Sequence, residues 1–578
     1  MQASPSPERG ADGRVHPADE RAVAEAVRFA AASGRRLRVR GAGHAPSGTV
    51  AGDGPEDLVL SLDRMRALRV VDEAELLVQA DAGIHLGRDP SAPPDEGSLA
   101  GSLLHRLAEE HGWTLGSTGG ITHQTLGGFL ATASAGGSLR HSLLDHVVEV
   151  RLIDGRGAVQ VFSGGEGERG LPAVLPSLGL LGVITAVTLR CEPLFTIAGQ
   201  EAIVDVTDTP FRFVGSDDDR RRSLAEFLAA AEYARIEWWP QRGAERLIVW
   251  QAQRTDVQPG FRPTRYEEFT RYPVLGEALF SMLFVIFGNL GHPRRVRELL
   301  RRNADHVGIA LDRLGTAGRL TPRRRSLARL LPALLRAVGA SAPLLALLAP
   351  LLRASLPRLV PAALDRVLPL DEHKPGMRRG EPQSFRDWSW QGLPMDNQAS
   401  DVLLGCRFTE LWVPLPRGAE LVAAVRSYFA AAPTAREAYH RTGLFAYELY
   451  GAPAATGWLH PAHSDGEDEW RDGALRLDVY WFADNAEDPL ERFFPQFWEL
   501  LRERGIPFRL HWGKEMPRSS PADPRWARLL AARYPEWHRF LTLRAELDPD
   551  GVFLTRYWRD RLGLWDAQSS PAARNSRS

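Results

Sequence analysis

The segment Val39-Arg40-Gly41-Ala42-Gly43-His44 brings together what chemistry at an anion requires. Gly41 and Gly43 bracket Ala42, so the turn has almost no side-chain bulk and its successive N–H groups can converge on a phosphate. His44 follows directly. A neutral imidazole near pH 7 is a nucleophile, whereas the plain alternative is a loop histidine that bonds only backbone or water. A second glycine-rich stretch runs from Gly116-Ser117-Thr118-Gly119-Gly120 through Gly127-Gly128 to Gly136-Gly137. Two such loops can grip a pyrophosphate. The first lacks the third glycine of the dinucleotide fingerprint, which argues against a nicotinamide-binding Rossmann domain.

A second set of candidates lies far downstream. His511-Trp512-Gly513-Lys514 follows the strand-like run Pro507-Phe508-Arg509-Leu510. Gly513 permits close approach there, and Trp512 is placed to wall a pocket. Of the 71 basic residues only two, Lys374 and Lys514, are lysine. A lysine kept against so strong an arginine bias points to chemistry, because burial lowers its pKa and its charge can stabilise a developing anion. In Phe445-Ala446-Tyr447-Glu448-Leu449-Tyr450, strand alternation puts Tyr447 and Leu449 on one face and Glu448 and Tyr450 on the other. Tyr480, within Leu475 to Trp481, is a further pocket candidate.

Two kinds of domain must position these residues. From Val15 to about Pro193 short apolar strands alternate with helices and glycine-rich turns. A helix is predicted over Ala22 to Ser33. Strands are predicted at Leu37 to Arg40, Leu58 to Ser61, Leu76 to Ala80, Val147 to Ile153 and the β-branched run Val183 to Leu189. This pattern predicts an α+β nucleotide-binding domain over 15–193. From 194 to 565 tryptophan and phenylalanine concentrate, and strands such as Arg246 to Trp250 and Leu475 to Trp481 alternate with longer helices, which predicts a second α+β domain. Within it, about 292–370 reads as a helical insertion. The block Leu327 to Leu370 is rich in Leu, Ala, Arg and Pro, and Ala278 to Leu290 is a further apolar run. The longest uncharged part, Ala337 to Leu352, is shorter than a spanning helix and contains Pro343 and Pro350. The block is either buried or lid-forming helix, or an Arg-flanked interfacial surface that touches lipid or admits an apolar substrate.

The whole chain sets the bounds. Its 578 residues exceed one compact core. A hydrophobic fraction of 44%, a charged fraction of 25% and a net charge of −1 describe an ordinary globular protein, with no field for nucleic acid or an anionic membrane over the molecule as a whole. The two cysteines, Cys191 and Cys406, form neither a disulfide framework nor a zinc spacing, and no metal site is expected. Residues 1–18 carry no apolar signal core, so a cytoplasmic setting, with a possible peripheral membrane contact through the insertion, is the expectation. Residues 1–14 and 566–578 are expected to be disordered.

Four segments carry a resemblance to the vanillyl-alcohol-oxidase-type (PCMH-type) flavoproteins, in particular their sugar-1,4-lactone and alditol oxidase branch. They are Arg40-Gly41-Ala42-Gly43-His44, Thr125-Leu126-Gly127-Gly128-Phe129-Leu130, Ser177 to Thr185, and Arg509-Leu510-His511-Trp512-Gly513-Lys514. The first three resemble the family's FAD-binding domain and the last its C-terminal sugar-lactone oxidase domain. The resemblance implies a two-subdomain FAD-binding domain followed by a substrate (cap) domain with a mixed or antiparallel sheet. The insertion has no place in it.

The resemblance also implies roles. Arg40 to Ala45 would hold FAD, with His44 as a covalent tether to the flavin, although Ala45 stands where the family commonly has a serine. Gly127, Thr132 and the run Ala135-Gly136-Gly137-Ser138-Leu139 would line the pyrophosphate and isoalloxazine. Gly182-Val183-Ile184 would offer backbone contacts on the adenine side. Leu126 occupies the place of a residue that gates oxygen in the family, and its bulk leaves a dehydrogenase open beside an oxidase. Lys514 and Glu448 would orient and deprotonate a CH–OH substrate during hydride transfer to flavin N5, with His511, Tyr450 and Tyr480 beside them. The partners implied are a small alcohol or lactone and oxygen or an electron carrier, as in a D-arabinono-1,4-lactone oxidase. Related enzymes have Glu-x-Arg where this chain has Glu448-Leu449-Tyr450, so a changed pocket is expected. A flavin-holding redox or membrane-surface partner that has lost sugar oxidation is the alternative.

Overall fold

The computed structural model describes residues 6–88, 101–165, 167, 169–214, 220–240, 245–266, 273–316, 330–370, 382–397, 400–431 and 446–565. The first helix, Glu20–Ser33, shows how local sequence sets an element. Asp19 caps its first turn by accepting from the Ala22 N–H at 2.8 Å, Gly34 ends it at φ 65°, and Val23, Ala26, Val27 and Ala30 form its buried stripe. Next comes a short parallel pair, Leu37–Val39 with Leu58–Leu60. A five-stranded antiparallel sheet then runs in the spatial order Leu68–Asp72, Leu77–Asp81, Val183–Arg190, Val147–Ile153, Val159–Ser163. The central strand Val183–Arg190 is buried at every residue but its last, which is why it reads as a continuous apolar and β-branched run.

The larger sheet has eight antiparallel strands in the order Gln383–Trp388, Thr196–Val204, Arg246–Thr255, Tyr233–Trp239, Tyr447–Ala452, Ala474–Phe482, Cys406–Pro414, Arg509–Leu510. Tyr447 and Leu449 face a core shared with Phe429, Phe493 and Phe497 of the helices Gly418–Ala430 and Pro489–Glu503. Alternation therefore turns Glu448 and Tyr450 to the opposite face, as the sequence pattern requires.

The insertion is helical: Pro293–Thr316, Leu330–Ala340, Ala342–Leu347 and Ala349–Val367, joined by Pro273–Gly288. Phe280, Val285, Leu300, Leu335 and Leu364 pack with Ile203, Trp239, Ile248 and Phe482 of the large sheet as a separate core. Pro343 and Pro350 each fall in the first turn of a helix, where their missing N–H costs nothing, so the apolar run breaks into short pieces. Among the described residues no helix is long and apolar enough to cross a membrane.

Two expectations about the ends need correction. Residues 6–14 are not loose. Arg9 donates to the carbonyls of Glu56 and Asp57, and Val15 bridges Leu60. The C-terminal segment does not stay with the second domain. Leu37 N–H donates to Val552 O and Gly155 N–H to Leu547 O, each at 2.9 Å, so the chain returns to brace the first. Local pattern cannot reveal such a return, because it depends on contacts hundreds of residues apart. The expected disordered tail, 566–578, lies outside the described residues.

Candidate functional site

The first loop leaves the end of Leu37–Val39 and opens into a cleft of ≈ 1220 Å³, counted out to open solvent. Arg40, Gly41, Ala42, Gly43, His44 and Ala45 line one wall, and Ser61 to Asp63, Gln124, Thr125, Gly127, Gly128, Thr132, Gly179, Gly182 and Ile184 line others. His511, Gly513 and Lys514 close it from the second domain. Glycine is required where segments meet. A Cβ on Gly41 would collide with Thr125 Oγ1, and Gly43 sits at φ 95°. A Cβ on Gly513 would lie 3.1 Å from Thr132, so this glycine lets the two domains touch at the cleft.

Arg38, passed over in the sequence, holds the floor together. It is fully buried and donates to the carbonyls of Thr49 (2.9 Å), Leu178 (2.9 Å), Gly179 (2.7 Å) and Phe553 (3.1 Å). Three separate segments are thereby fixed around one guanidinium.

His44 is mostly buried, and its Nε2 has no hydrogen-bond partner. Its ring meets that of His123 edge-on, with centroids 4.5 Å apart, and His123 Nε2 lies 2.9 Å from Asp401. Burial and the neighbouring His123 push the His44 pKa down to about 4. The imidazole is therefore neutral at pH 7, with one ring nitrogen unspent. His44, His123 and Asp401 lie close enough together to reach one metal ion, a grouping the sequence did not anticipate. Aromatic packing and a partnered carboxylate give them a simpler account.

At the other wall Lys514 Nζ stands 3.9 Å from the centroid of the Phe408 ring, which in turn contacts Tyr480. His511 Nδ1 accepts from the Gly513 N–H at 3.0 Å, and burial pushes its pKa down to about 4. Trp512, expected to wall the pocket, is fully buried behind it. It donates to Leu459 O at 2.7 Å and stacks with Tyr534 and Trp537. The cleft wall there is Trp558 instead.

Glu448, Tyr450 and Tyr480 come together as one cluster, although they do not line the cleft itself. Both tyrosine hydroxyls donate to Glu448 Oε2, the one from Tyr450 at 2.8 Å. The Tyr450 hydroxyl also lies 2.8 Å from Asp396. Burial, reinforced by the Asp396 carboxylate, pushes the Glu448 pKa up to about 8. Tyr450 pairs in register with Arg235 on one side and Arg476 on the other. Neither replaces the arginine absent at position 450. Arg235 is tied to Asp396 (3.0 Å) and Glu237 (3.1 Å), and Arg476 to Glu410 (2.8 Å). Both arginines, like Asp396, were missed. For the two arginines the signal was a charge inside a strand rich in buried apolar residues.

Other residues expected at the cofactor are engaged elsewhere. Ala135 to Leu139 do not line the cleft. The Ala135 and Gly136 carbonyls accept from Arg476 at 2.9 Å, the Gly137 carbonyl from Ala234 N–H at 2.8 Å, and Ser138 Oγ donates to Glu232 O at 2.7 Å. Leu139 packs against Gly451. This run is a seam to the large sheet, and its glycines serve close backbone approach: a Cβ on Gly136 would strike the Thr118 carbonyl. Leu126 is fully buried in the core and Val183 nearly so, and neither faces the cleft. In a helix starting at residue 126, Gly127 and Gly128 present backbone to the cleft while Leu126 turns inward.

Comparison with known proteins agrees with this geometry. An FAD binding domain model matches residues 11–88 and a D-arabinono-1,4-lactone oxidase model matches residues 477–561. A D-arabinono-1,4-lactone oxidase of Eremothecium gossypii is 26% identical over 240 residues, 41% of this chain and 40% of that protein. An L-gulonolactone oxidase of Bos taurus is 26% identical over 238 residues, 41% of this chain and 47% of that protein. The matched stretch thus spans under half the length of these relatives. A cholesterol oxidase from B. sterolicum superposes with a TM-score of 0.59 at 17% identity, covering 95% of this chain and 93% of that one. The chain therefore shares the overall fold of that oxidase and carries one segment that matches an FAD binding domain and one that matches a D-arabinono-1,4-lactone oxidase. Glycine-lined backbone and an unpartnered buried imidazole are a donor set that fits FAD.

Proposed function

We propose that this protein is an FAD-dependent oxidoreductase that oxidises a CH–OH group of a sugar lactone, polyol or related alcohol, in the manner of a D-arabinono-1,4-lactone oxidase. One observation carries the reading. The cleft is walled on one side by Arg40 to Ala45, inside the FAD-binding segment, and on the other by His511, Gly513 and Lys514, inside the lactone-oxidase segment.

Bound there, FAD supplies the hydride acceptor. The backbone of Gly41 to Gly43 and of Gly127 and Gly128 would hold its phosphates. His44, neutral and with a free ring nitrogen, would bind it covalently. Lys514 brings a positive charge to the wall where the reduced cofactor's negative charge needs a partner. Glu448, braced by Tyr450 and Tyr480, takes the substrate hydroxyl proton in its ionised form. A pKa of about 8 suits a base working near neutral pH. A carboxyl with two phenols, in place of Glu-x-Arg, favours a substrate with fewer hydroxyls to satisfy.

Reoxidation uses oxygen or another acceptor. With Leu126 turned into the core, the bulk that argued against oxygen lies off the cleft. Steady-state turnover tests the proposal: the FAD-reconstituted protein, given a panel of sugar lactones, alditols and apolar alcohols, should consume oxygen or reduce a dye. No turnover with any of them under either acceptor would reject it. Bound flavin that no such substrate reduces would favour a redox partner protein instead.

A further inference from the structure

The helices of the insertion are apolar on two sides. Inward, Leu335, Ala342, Ala349, Val360 and Leu364 fill the core against the large sheet. Outward, Leu330 and Leu334 lie one turn apart on one helix at 62% and 51% exposure. Leu344, Leu347, Leu348 and Leu351 follow at i, i+3, i+4 and i+7 with 55%, 76%, 36% and 69% exposure, a stripe that passes from one short helix to the next. All seven leucines exposed among the described residues lie in this insertion. Leucines that are at least partly buried elsewhere among the described residues form a surface here, and such a surface marks an interaction site.

Charge says which partner fits. Residues 292–316 and 330–370 contain ten arginines, no lysine and four acidic residues, a net of +6 in a chain whose total is −1. Arg294, Arg297, Arg301, Arg353 and Arg358 are exposed, the last two alternating with Leu351 and Leu359 along the same helix. Guanidinium groups bind phosphate in a bidentate fork, and leucines beside them can enter the boundary between headgroups and acyl chains. None of these helices is both long and apolar enough to span a bilayer, so the contact that fits them is one along its surface.

We infer that the outward face of the helices from Leu330 to Val367 docks on an anionic phospholipid surface and holds the molecule there as a peripheral protein. This contact is independent of the redox reaction proposed above. Leucine insertion provides the grip and arginine–phosphate attraction selects the lipid.

Co-sedimentation of the full chain tests it with vesicles of phosphatidylcholine alone and of phosphatidylcholine mixed with phosphatidylserine. The expected result is binding to the mixed vesicles only, lost at high salt as the charges are screened. Leu347→Gln and Leu351→Gln should each weaken that binding by about tenfold. Their circular dichroism and melting temperature should stay unchanged, because both side chains are already in water. Arg353→Glu with Arg358→Glu should weaken binding to the mixed vesicles without changing the fold. Equal binding to both vesicle types, no binding to either, or binding that both leucine variants retain would each overturn the inference. A concentration-dependent dimer that the leucine variants abolish, with no vesicle binding, would assign the face to a second copy and overturn it equally.

Discussion

His44 and Glu448 are opposite cases of burial acting on an ionisable group. Burial holds the imidazole neutral by pushing its pKa down to about 4, and holds the carboxyl protonated by pushing its pKa up to about 8. His44→Ala should abolish acid-stable yellow colour on the denatured polypeptide while FAD still binds, whereas flavin released by acid from the unmutated protein would reject the tether. For Glu448, kcat/KM should rise with pH through about 8 as the free enzyme's base ionises. Glu448→Gln should remove that limb and lower kcat/KM by about 10²- to 10⁴-fold. A limb that survives the substitution belongs to another group. The same proton bears on stability. A carboxyl whose pKa is raised in the folded state stabilises it fully below the ordinary carboxylate range, and that contribution is lost as pH rises through about 8.

Elements bring these residues together, and here the sequence was legible unevenly. The strand Tyr447–Ala452 was readable because alternation fixes which residues share a face, and Glu448 and Tyr450 do share one. The loop Arg40 to Ala45 and the turn at Gly513 were readable because only glycine permits their close approaches. The run Ala135 to Leu139 was less legible: small residues signal close packing but not the partner, which here includes Arg476 and the large sheet. Arg38, Arg235, Arg476 and Asp396 were not legible, since each works through carbonyls or carboxylates distant in sequence. Arg476→Met tests the seam. It leaves Glu410 buried and unpaired and frees two carbonyls, so it should destabilise by about 3–5 kcal/mol in denaturant titration. A loss below about 1 kcal/mol would mean the seam does not depend on this pair. Gly41→Ala should weaken FAD binding while leaving the fold intact, because the added methyl meets Thr125 at the cleft rather than in the core.

Over the whole molecule the cleft is a junction of two domains and of the returning C-terminal segment, so cofactor binding and stability are coupled. Saturating FAD should raise the melting temperature, by an amount that grows with the logarithm of its concentration if the attachment is reversible. Acid should act in the other direction. His44, His460 and His511 are held neutral by burial, with pKa values down to about 4, 3 and 4. Their stabilising contribution is present above the ordinary histidine pKa and is lost as pH falls toward those values, so the melting temperature should drop between about pH 6.5 and 4. All of this serves a cleft whose walls come from an FAD-binding segment and a lactone-oxidase segment. The most direct test of that account is to mix the FAD-loaded protein anaerobically with a panel of sugar lactones, alditols and apolar alcohols and follow flavin absorbance in time. The account predicts that at least one of them bleaches the flavin, and that Lys514→Met slows that bleaching strongly. Flavin that dithionite bleaches but no alcohol or lactone does would contradict it.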